Sequence, residues 1–353
     1  GLSIHDDKDK IEGVVGYVSQ DDLLIEELSV FQNLFYNAKL CFDGFTDKEI
    51  TKRVLNLLHS IGLYEAKDLK VGSPLEKTIS GGQRKRLNIA LELIREPSVL
   101  FVDEPTSGLS SRDSENIMDL LKELALKGKV IFVVIHQPSS DIFKMFDKLL
   151  ILDLGGRPIY YGNPVDGVLY FKKLSNHVNS DESECIQCGN VNPEQIFNII
   201  ESKVLDEYGN LTDNRKVSPK EWNEHYHNEI DNHIEIFSAG KDVPKSTFNI
   251  PNKVKQFKVF ITRDVLSKLT NTQYLMINLL EAPVLAAVLA FFVKFYHTDV
   301  TADGYVFREN ENLIAYIFMA VVIALFIGLT VSAEEIIKDQ KIRKRESFLN
   351  LSS

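Results

Sequence analysis

Four places in the chain combine residue types that handle phosphate, metal and water. Asp103 and Glu104 are adjacent carboxylates closing the apolar run "VLFVDEP" (Val99 to Pro105). A carboxylate at a strand tip can hold Mg²⁺ directly or through water. Glu104 beside it can orient and polarise a water aimed at a γ-phosphate. His136 closes "VIFVVIH" and can contact the same phosphate and report its loss. Gln20, closing "VVGYVSQ", can sense both metal and water. In the fourth place, "TISGGQRKRLNIALELI" (Thr78 to Ile94), Ser80, Gly81 and Gly82 stand immediately before a long apolar-periodic segment. Such a helix start points free backbone N–H groups and a positive helix end at an anion. Singly, each has a plainer reading: a Gln or His satisfied in a loop, or an acid pair in a solvated turn. Their coincidence in one chain favours the chemical reading.

The elements that must position these residues are visible as pattern. "VVGYVSQ", "VLFVDEP" and "VIFVVIH" are apolar and β-branched, a fourth run "LLILDLGG" follows from Leu149, and none alternates cleanly. That suits parallel strands buried on both faces. Helical patterns such as "ITKRVLNLLHSIGL" and "SENIMDLLKELALKG" lie between them, so an α/β sheet with packed helices is expected. Ligands of such sheets collect beyond the carboxyl ends of the strands, where Gln20, Asp103, Glu104 and His136 fall.

"ISGGQRKRLNIALELI" resembles the signature segment of ATP-binding-cassette transporters, and "VLFVDEPTSGLSS" resembles their Walker B and D-loop. "GYVSQDD" is similar to the Q-loop and "VIHQPSS" to the switch-histidine loop, all in the family's order. "VIHQPSS", "GRPIYYGNP", the ending "RESFLNLSS" and a nucleotide-binding domain preceding the membrane domain resemble the ABCG (white/pigment and multidrug) subfamily. The resemblance implies a P-loop-NTPase-like α/β nucleotide-binding domain followed by α-helical transmembrane segments. By it, Ser80, Gly81, Gly82 and Gln83 would bind ATP in trans, clasping a nucleotide seated on another cassette. Asp103, with Gln20, would serve Mg²⁺, Glu104 would act as catalytic base and His136 as switch. One departure stands in "SGLSSRD", where the family usually has Asp at the position of Ser110.

The phosphate cradle G-x-x-x-x-G-K-[ST] is expected upstream of Gln20, after a first strand. The two Gly-Lys pairs, Gly128-Lys129 and Gly240-Lys241, are not followed by Ser or Thr and lie elsewhere. Without a cradle lysine, triphosphate charge goes largely uncompensated, so these 353 residues by themselves are expected to hydrolyse ATP hardly at all. A partial sequence, also suggested by Gly1 in place of an initiator Met, competes with a natural half-site whose partner supplies the cradle.

Charge and hydropathy narrow the setting. A net charge of -10 argues against a general nucleic-acid binder, because phosphate backbones demand a basic face. Three cysteines exclude a disulfide scaffold, and the opening "GLSIHDDKDKIEG" lacks the apolar core of a signal peptide. The mean hydropathy of -0.08 hides two unlike parts. Tyr274 to Val293 and Leu313 to Ser332 are each long and apolar enough to span a bilayer. Lys- and Arg-rich flanks, "KVKQFKVFITRDVLSK" and "KDQKIRKRES", enclose the pair, so the positive-inside rule puts both flanks in the cytoplasm. Glu281 is an acid within the first span, on a transport path, in a structural hydrogen bond or at a position nearer the interface. Val254, Phe257, Ile261 and Val265 recur at helical spacing, marking an amphipathic helix on the membrane surface or against another domain.

"CIQC" (Cys185 to Cys188) has metal-ligand spacing but reads equally as a redox pair or an ordinary loop. His225, His227 and His233 are distant candidates to complete a zinc site. The sequons at Asn210 and Asn350 fall on the expected cytoplasmic side. The expected organisation is a partial nucleotide-binding domain (1–175), a linker or insert (176–251), an amphipathic connecting helix (252–271) and the start of a transmembrane domain (272–353). The function expected is that of an ABCG-type half-transporter, an ATP hydrolase coupled to transport, with export as the direction. Its partners are a second nucleotide-binding domain, membrane lipid and a transported substrate, without nucleic acid. A membrane-anchored docking protein with a dead cassette is the alternative. A soluble ATPase of the translation or DNA-repair type is disfavoured by the two spans.

Overall fold

The computed structural model describes residues 11, 13–73, 78–175, 190–234, 244, 246–294 and 307–347. The chain forms two compact units, one from Gly1–Gln20 and Pro97–Lys245, the other from Asp21–Glu96 and Ser246–Ser353. Strand β1 (Val15–Val18) is followed by a helical excursion through α1 (Val30–Cys41), α2 (Asp47–Ser60) and α3 (Gly81–Leu93). The chain then returns as β2 (Val99–Asp103), α4 (Ser111–Leu126) and β3 (Val130–Val134). After a short α5 (Ser140–Lys144) come β4 (Leu149–Asp153), β5 (Arg157–Gly162), α6 (Pro164–Leu174), α7 (Glu194–Ile200), β6 (Lys203–Leu205), β7 (Leu211–Arg215) and α8 (Pro219–Glu229). Three long helices follow: α9 (Lys253–Thr270), α10 (Thr272–Phe292) and α11 (Asn312–Ser347).

In the first unit β1, β2 and β3 form a parallel sheet in that order, with Val18 opposite Val102 and Asp103 opposite Val134. Gly16 is required by close approach: a Cβ there would meet Leu100 Cδ1 at 2.9 Å and Pro97 Cγ at 3.0 Å. The missing side chain lets β1 lie flush on β2 and brings the residues after both strands to one edge. The three runs are parallel as expected, but they are not buried on both faces. Val130, Phe132 and Val134 of β3 are exposed, Phe132 stacking on Phe101 with centroids 4.8 Å apart.

The fourth run, "LLILDLGG", does not join this sheet. β4 pairs antiparallel with β5, because Gly155 and Gly156 both adopt positive φ and turn the chain straight back. The hairpin packs into a second core of Phe143, Ile159, Val168, Phe171, Ile196 and Trp222. Residues 190–234, within the stretch read as linker or insert, therefore supply buried side chains to a folded body. Arg215 pairs with Asp153 at 2.8 Å and the Asn223 amide donates to the Pro158 carbonyl, tying that segment to the hairpin.

The second unit is helical. α1, α2 and α3 each start on a capping box, led by Ser29, Thr46 and Ser80 with Gln32, Glu49 and Gln83 reaching back. Leu28, Leu34, Leu58 and Leu87 fill their core. Asn249 donates to the Cys41 carbonyl and accepts from Asp43 N–H, at 3.0 and 2.9 Å. That bridge guides the chain to Asn252, the N-cap of α9. α9 buries Gln256 and Val259, whereas Val254, Phe257, Ile261 and Val265, the stripe read from the sequence, are exposed. Among the described residues, α10 and the first part of α11 (Asn312–Ile337) are the two helices long and apolar enough to cross a membrane. α11 continues as helix well past the apolar run. Its tail "AEEIIKDQKIRKRES" is made of good helix formers, and loss of hydrophobicity ends a span without ending a helix.

Candidate functional site

The parallel sheet gathers the chemistry-bearing residues of the first unit on its carboxyl edge. Gln20 Nε2 donates to Glu104 Oε2 at 2.7 Å, across 84 positions of sequence. Asp103, the last residue of β2, accepts a hydrogen bond from the Tyr17 hydroxyl at 3.3 Å. Partial burial first, and the Asp103 charge next, push the Tyr17 hydroxyl pKa above its ordinary value, so it stays a neutral donor. Glu104 adopts φ +43° and Gln137 φ +47°, a left-handed backbone costly for residues with a Cβ. The Glu104 N–H donates to the Val134 carbonyl at 2.9 Å, so ladder pairing holds that strained turn in place. Strain at two residues that line one cavity is typical of positions kept for chemistry rather than stability.

Glu104 and His136 line one cavity of about 500 Å³, together with Thr106, Ser107, Ser114 and Glu115. Its polar wall suits a charged, hydrated ligand. Ser110, the departure from the family pattern, caps α4: its Oγ accepts from the Asp113 N–H at 3.2 Å and donates to the Asp113 carboxylate at 2.8 Å. A serine serves that cap as well as an aspartate does.

In the second unit Ser80 caps α3. Its Oγ accepts from Gln83 N–H at 3.1 Å and its N–H donates to Gln83 Oε1 at 2.8 Å. Ser80 and Gly81 are exposed and Gly82 is buried, so the two residues leading the helix are open to a ligand. Behind them the helix is bolted down. The Arg84 guanidinium donates to the carbonyls of Gly72 and Val71 and to Asp22. Asn88 accepts from Leu23 N–H and donates to the Asp21 carbonyl.

Sequence reasoning named Gln20, Asp103, Glu104 and His136 and missed Tyr17 and Arg84. Tyr17 had a signal, an isolated hydroxyl in an apolar strand three residues before Gln20. Arg84 had none, since its partners lie 12 or more residues away. The Cys185–Cys188 pair lies outside the described residues. His225 and His227 face Glu229 and Asp231 of their own helical segment, at 4.0 and 2.7 Å. Among the described residues one trio of metal-capable groups comes together, Asp264, Glu335 and Asp339. The Lys268 ammonium stands 3.4 Å from both Asp264 and Glu335 and supplies positive charge there.

The donor set at the sheet edge is one of hard oxygens, which fits Mg²⁺. Asp103 offers a carboxylate and Gln20 an amide oxygen.

Residues 2–107 match the ABC transporter family, and residues 136–234 match the ABC-2 type transporter family. The second match covers the β4–α8 body and neither of the long apolar helices. The chain is 41% identical over 160 residues to ABC transporter G family member 14 of Arabidopsis thaliana, which is 45% of this chain and 24% of that protein. It is 40% identical over 160 residues to the broad substrate specificity ATP-binding cassette transporter ABCG2 of Sus scrofa, again 45% and 24%. An uncharacterized ABC transporter ATP-binding protein/permease of Saccharomyces cerevisiae is 30% identical over 303 residues, which is 82% of this chain and 23% of that protein. The chain thus spans about a quarter of the length of the curated relatives it matches.

Proposed function

We propose that the chain, whose residues 2–107 match the ABC transporter family and 136–234 the ABC-2 type transporter family, is part of an ABCG-type half-transporter driven by ATP. The observation that carries the reading is the Gln20–Glu104 hydrogen bond at the carboxyl edge of the parallel sheet, beside Asp103, with Glu104 lining the cavity that His136 also lines.

Glu104 is the general base: its carboxylate takes a proton from the attacking water as that water closes on the γ-phosphate. Gln20, bonded to Glu104, orients the carboxylate and exchanges that bond when nucleotide arrives. His136 holds a γ-phosphate oxygen and loses that contact on hydrolysis. Asp103 and the Gln20 amide oxygen hold Mg²⁺, which when bound neutralises charge on the β- and γ-phosphates. Tyr17 keeps Asp103 aimed along the sheet edge. Ser80, Gly81, Gly82 and Gln83 clasp ATP seated on a second cassette, so ATP joins two nucleotide-binding domains and hydrolysis releases them. The two long helices cross the bilayer with their basic flanks on the cytoplasmic side, where the cassette lies, and α9 connects cassette to membrane. Export is the direction this reading favours.

The test is ATP turnover by the full-length protein in membranes, wild type against Glu104→Gln. Turnover abolished in the variant supports the reading. Equal, near-zero turnover in both overturns it and leaves a membrane-anchored docking protein.

A further inference from the structure

Glu281 is the single charged residue of α10, the tenth of its 21 residues. At about 1.5 Å per residue it lies ~14 Å from the Thr272 end, near the middle of a ~30 Å hydrocarbon layer. An acid at that depth is costly and by default serves a function. Its orientation is defined. From Met276 to Phe292 every side chain of α10 is exposed except those of Glu281, Leu285 and Leu289, which recur at i, i+4 and i+8. α10 packs against α11, whose own less exposed positions, Ala320, Ile323, Ile327 and Val331, recur at the same helical period. Glu281 therefore shares the stripe that α10 turns inward.

The chemistry around it is one-sided. Pro283 sits inside α10 and has no N–H to give to the carbonyl of Leu279, four residues back. Asn278 donates its amide to the Tyr274 carbonyl at 2.8 Å, which leaves its side-chain oxygen one turn before Glu281. A carboxylate, an amide oxygen and a carbonyl without its i+4 N–H thus fall within four successive positions, 278 to 281, at mid-span. No Lys, Arg or His occurs in α10 or in α11 from Asn312 to Ile337, and no hydrogen bond or ion pair of Glu281 forms among the described residues. Three acceptors without a donor are too few for a bare metal ion, which takes six or more oxygens. They suit a ligand that brings its own positive charge and an apolar body to lie along Leu285, Leu289 and Ile323.

We propose that Glu281 is the recognition residue for a lipophilic organic cation bound between α10 and α11, the charged group of the transported substrate. The proposal rests on the transporter reading for its purpose, but its test reads binding and needs no turnover. Full-length protein in phosphatidylcholine nanodiscs is titrated with decyltrimethylammonium and with its uncharged carbon isostere, empty nanodiscs serving as baseline. Wild type is expected to prefer the cation at least tenfold. Glu281→Gln, which keeps size and polarity at lower desolvation cost, is expected to bind both probes alike. Glu281→Asp is expected to recover part of the preference, with both variants melting at the wild-type temperature. An unchanged preference in Glu281→Gln, or no preference in wild type, overturns the assignment. ATP turnover measured on the same samples separates that result from a failure of the transporter reading.

Discussion

Helix α3 and the carboxyl edge of the β1–β3 sheet both carry residues assigned to nucleotide, yet they are held in opposite ways. Ten of the thirteen residues of α3 are buried, and Arg84 and Arg86 are spent on backbone carbonyls. At the sheet edge Gln20 and His136 are exposed, β3 buries no residue, and the Gln20–Glu104 bond faces solvent. The difference matches what each has to do. A clasp offers a fixed surface and gains from being immobile. A residue that senses the arrival and loss of a phosphate has to exchange partners, which a buried, fully bonded side chain does only at great cost.

Substitutions can break this contrast from either side. Glu104→Gln is expected to slow ATP turnover about a thousandfold, ~4 kcal/mol in barrier height, with the melting temperature unchanged; a lowered melting temperature would move Glu104 into the structural class. Arg84→Ala is expected to cost about 3 kcal/mol of stability, since it strips donors from buried carbonyls and leaves Asp22 without its cation. Thermal denaturation checks it, and a loss no larger than that of an exposed lysine would show α3 to be held by apolar packing alone.

Alkaline pH probes the helical unit again. Burial pushes the Cys41 thiol up from 9.0 to about 12. The unfolded thiol ionises first, so this contribution to stability is intact below pH 9 and lost as pH rises toward 12. Cys41→Ala is expected to flatten that part of the stability profile in a pH series of melting curves. A smaller effect is expected from Ser80→Ala, about 1 kcal/mol through the lost capping box. The smallest is Ser110→Asp, within ~0.5 kcal/mol by the same measurement, because either residue caps α4.

The division between firm and loose also marks what was legible in the sequence. The edge residues were readable because a strand's last position and a distinctive side-chain type are local facts. Asp103 after four apolar residues needs no knowledge of the rest of the chain. The capped start of α3 was readable for the same reason. The bonds of Arg84 were not, nor the packing of Trp222 under the β4–β5 hairpin, because such contacts follow from where separate segments arrive. The hairpin itself illustrates the limit. "LLILD" has the composition of a buried parallel strand, and two glycines after it decide its partner. α11 shows the converse, since the apolar length that a bilayer needs says nothing about where a helix stops.

That length has a mechanical meaning. At about 1.5 Å per residue a 36-residue helix is a rod ~54 Å long. Near its far end Arg345 is buried and donates to the Leu23 carbonyl at 2.6 Å, and Glu346 meets Arg263 of α9. Leu23 stands three residues after Gln20 in the chain. A tilt of roughly 5° about one end would sweep the other through ~5 Å, further than any hydrogen bond stretches. The Arg345 bond therefore latches that end of the rod: under such a tilt either the segment that holds Leu23 moves with α11, or the bond releases.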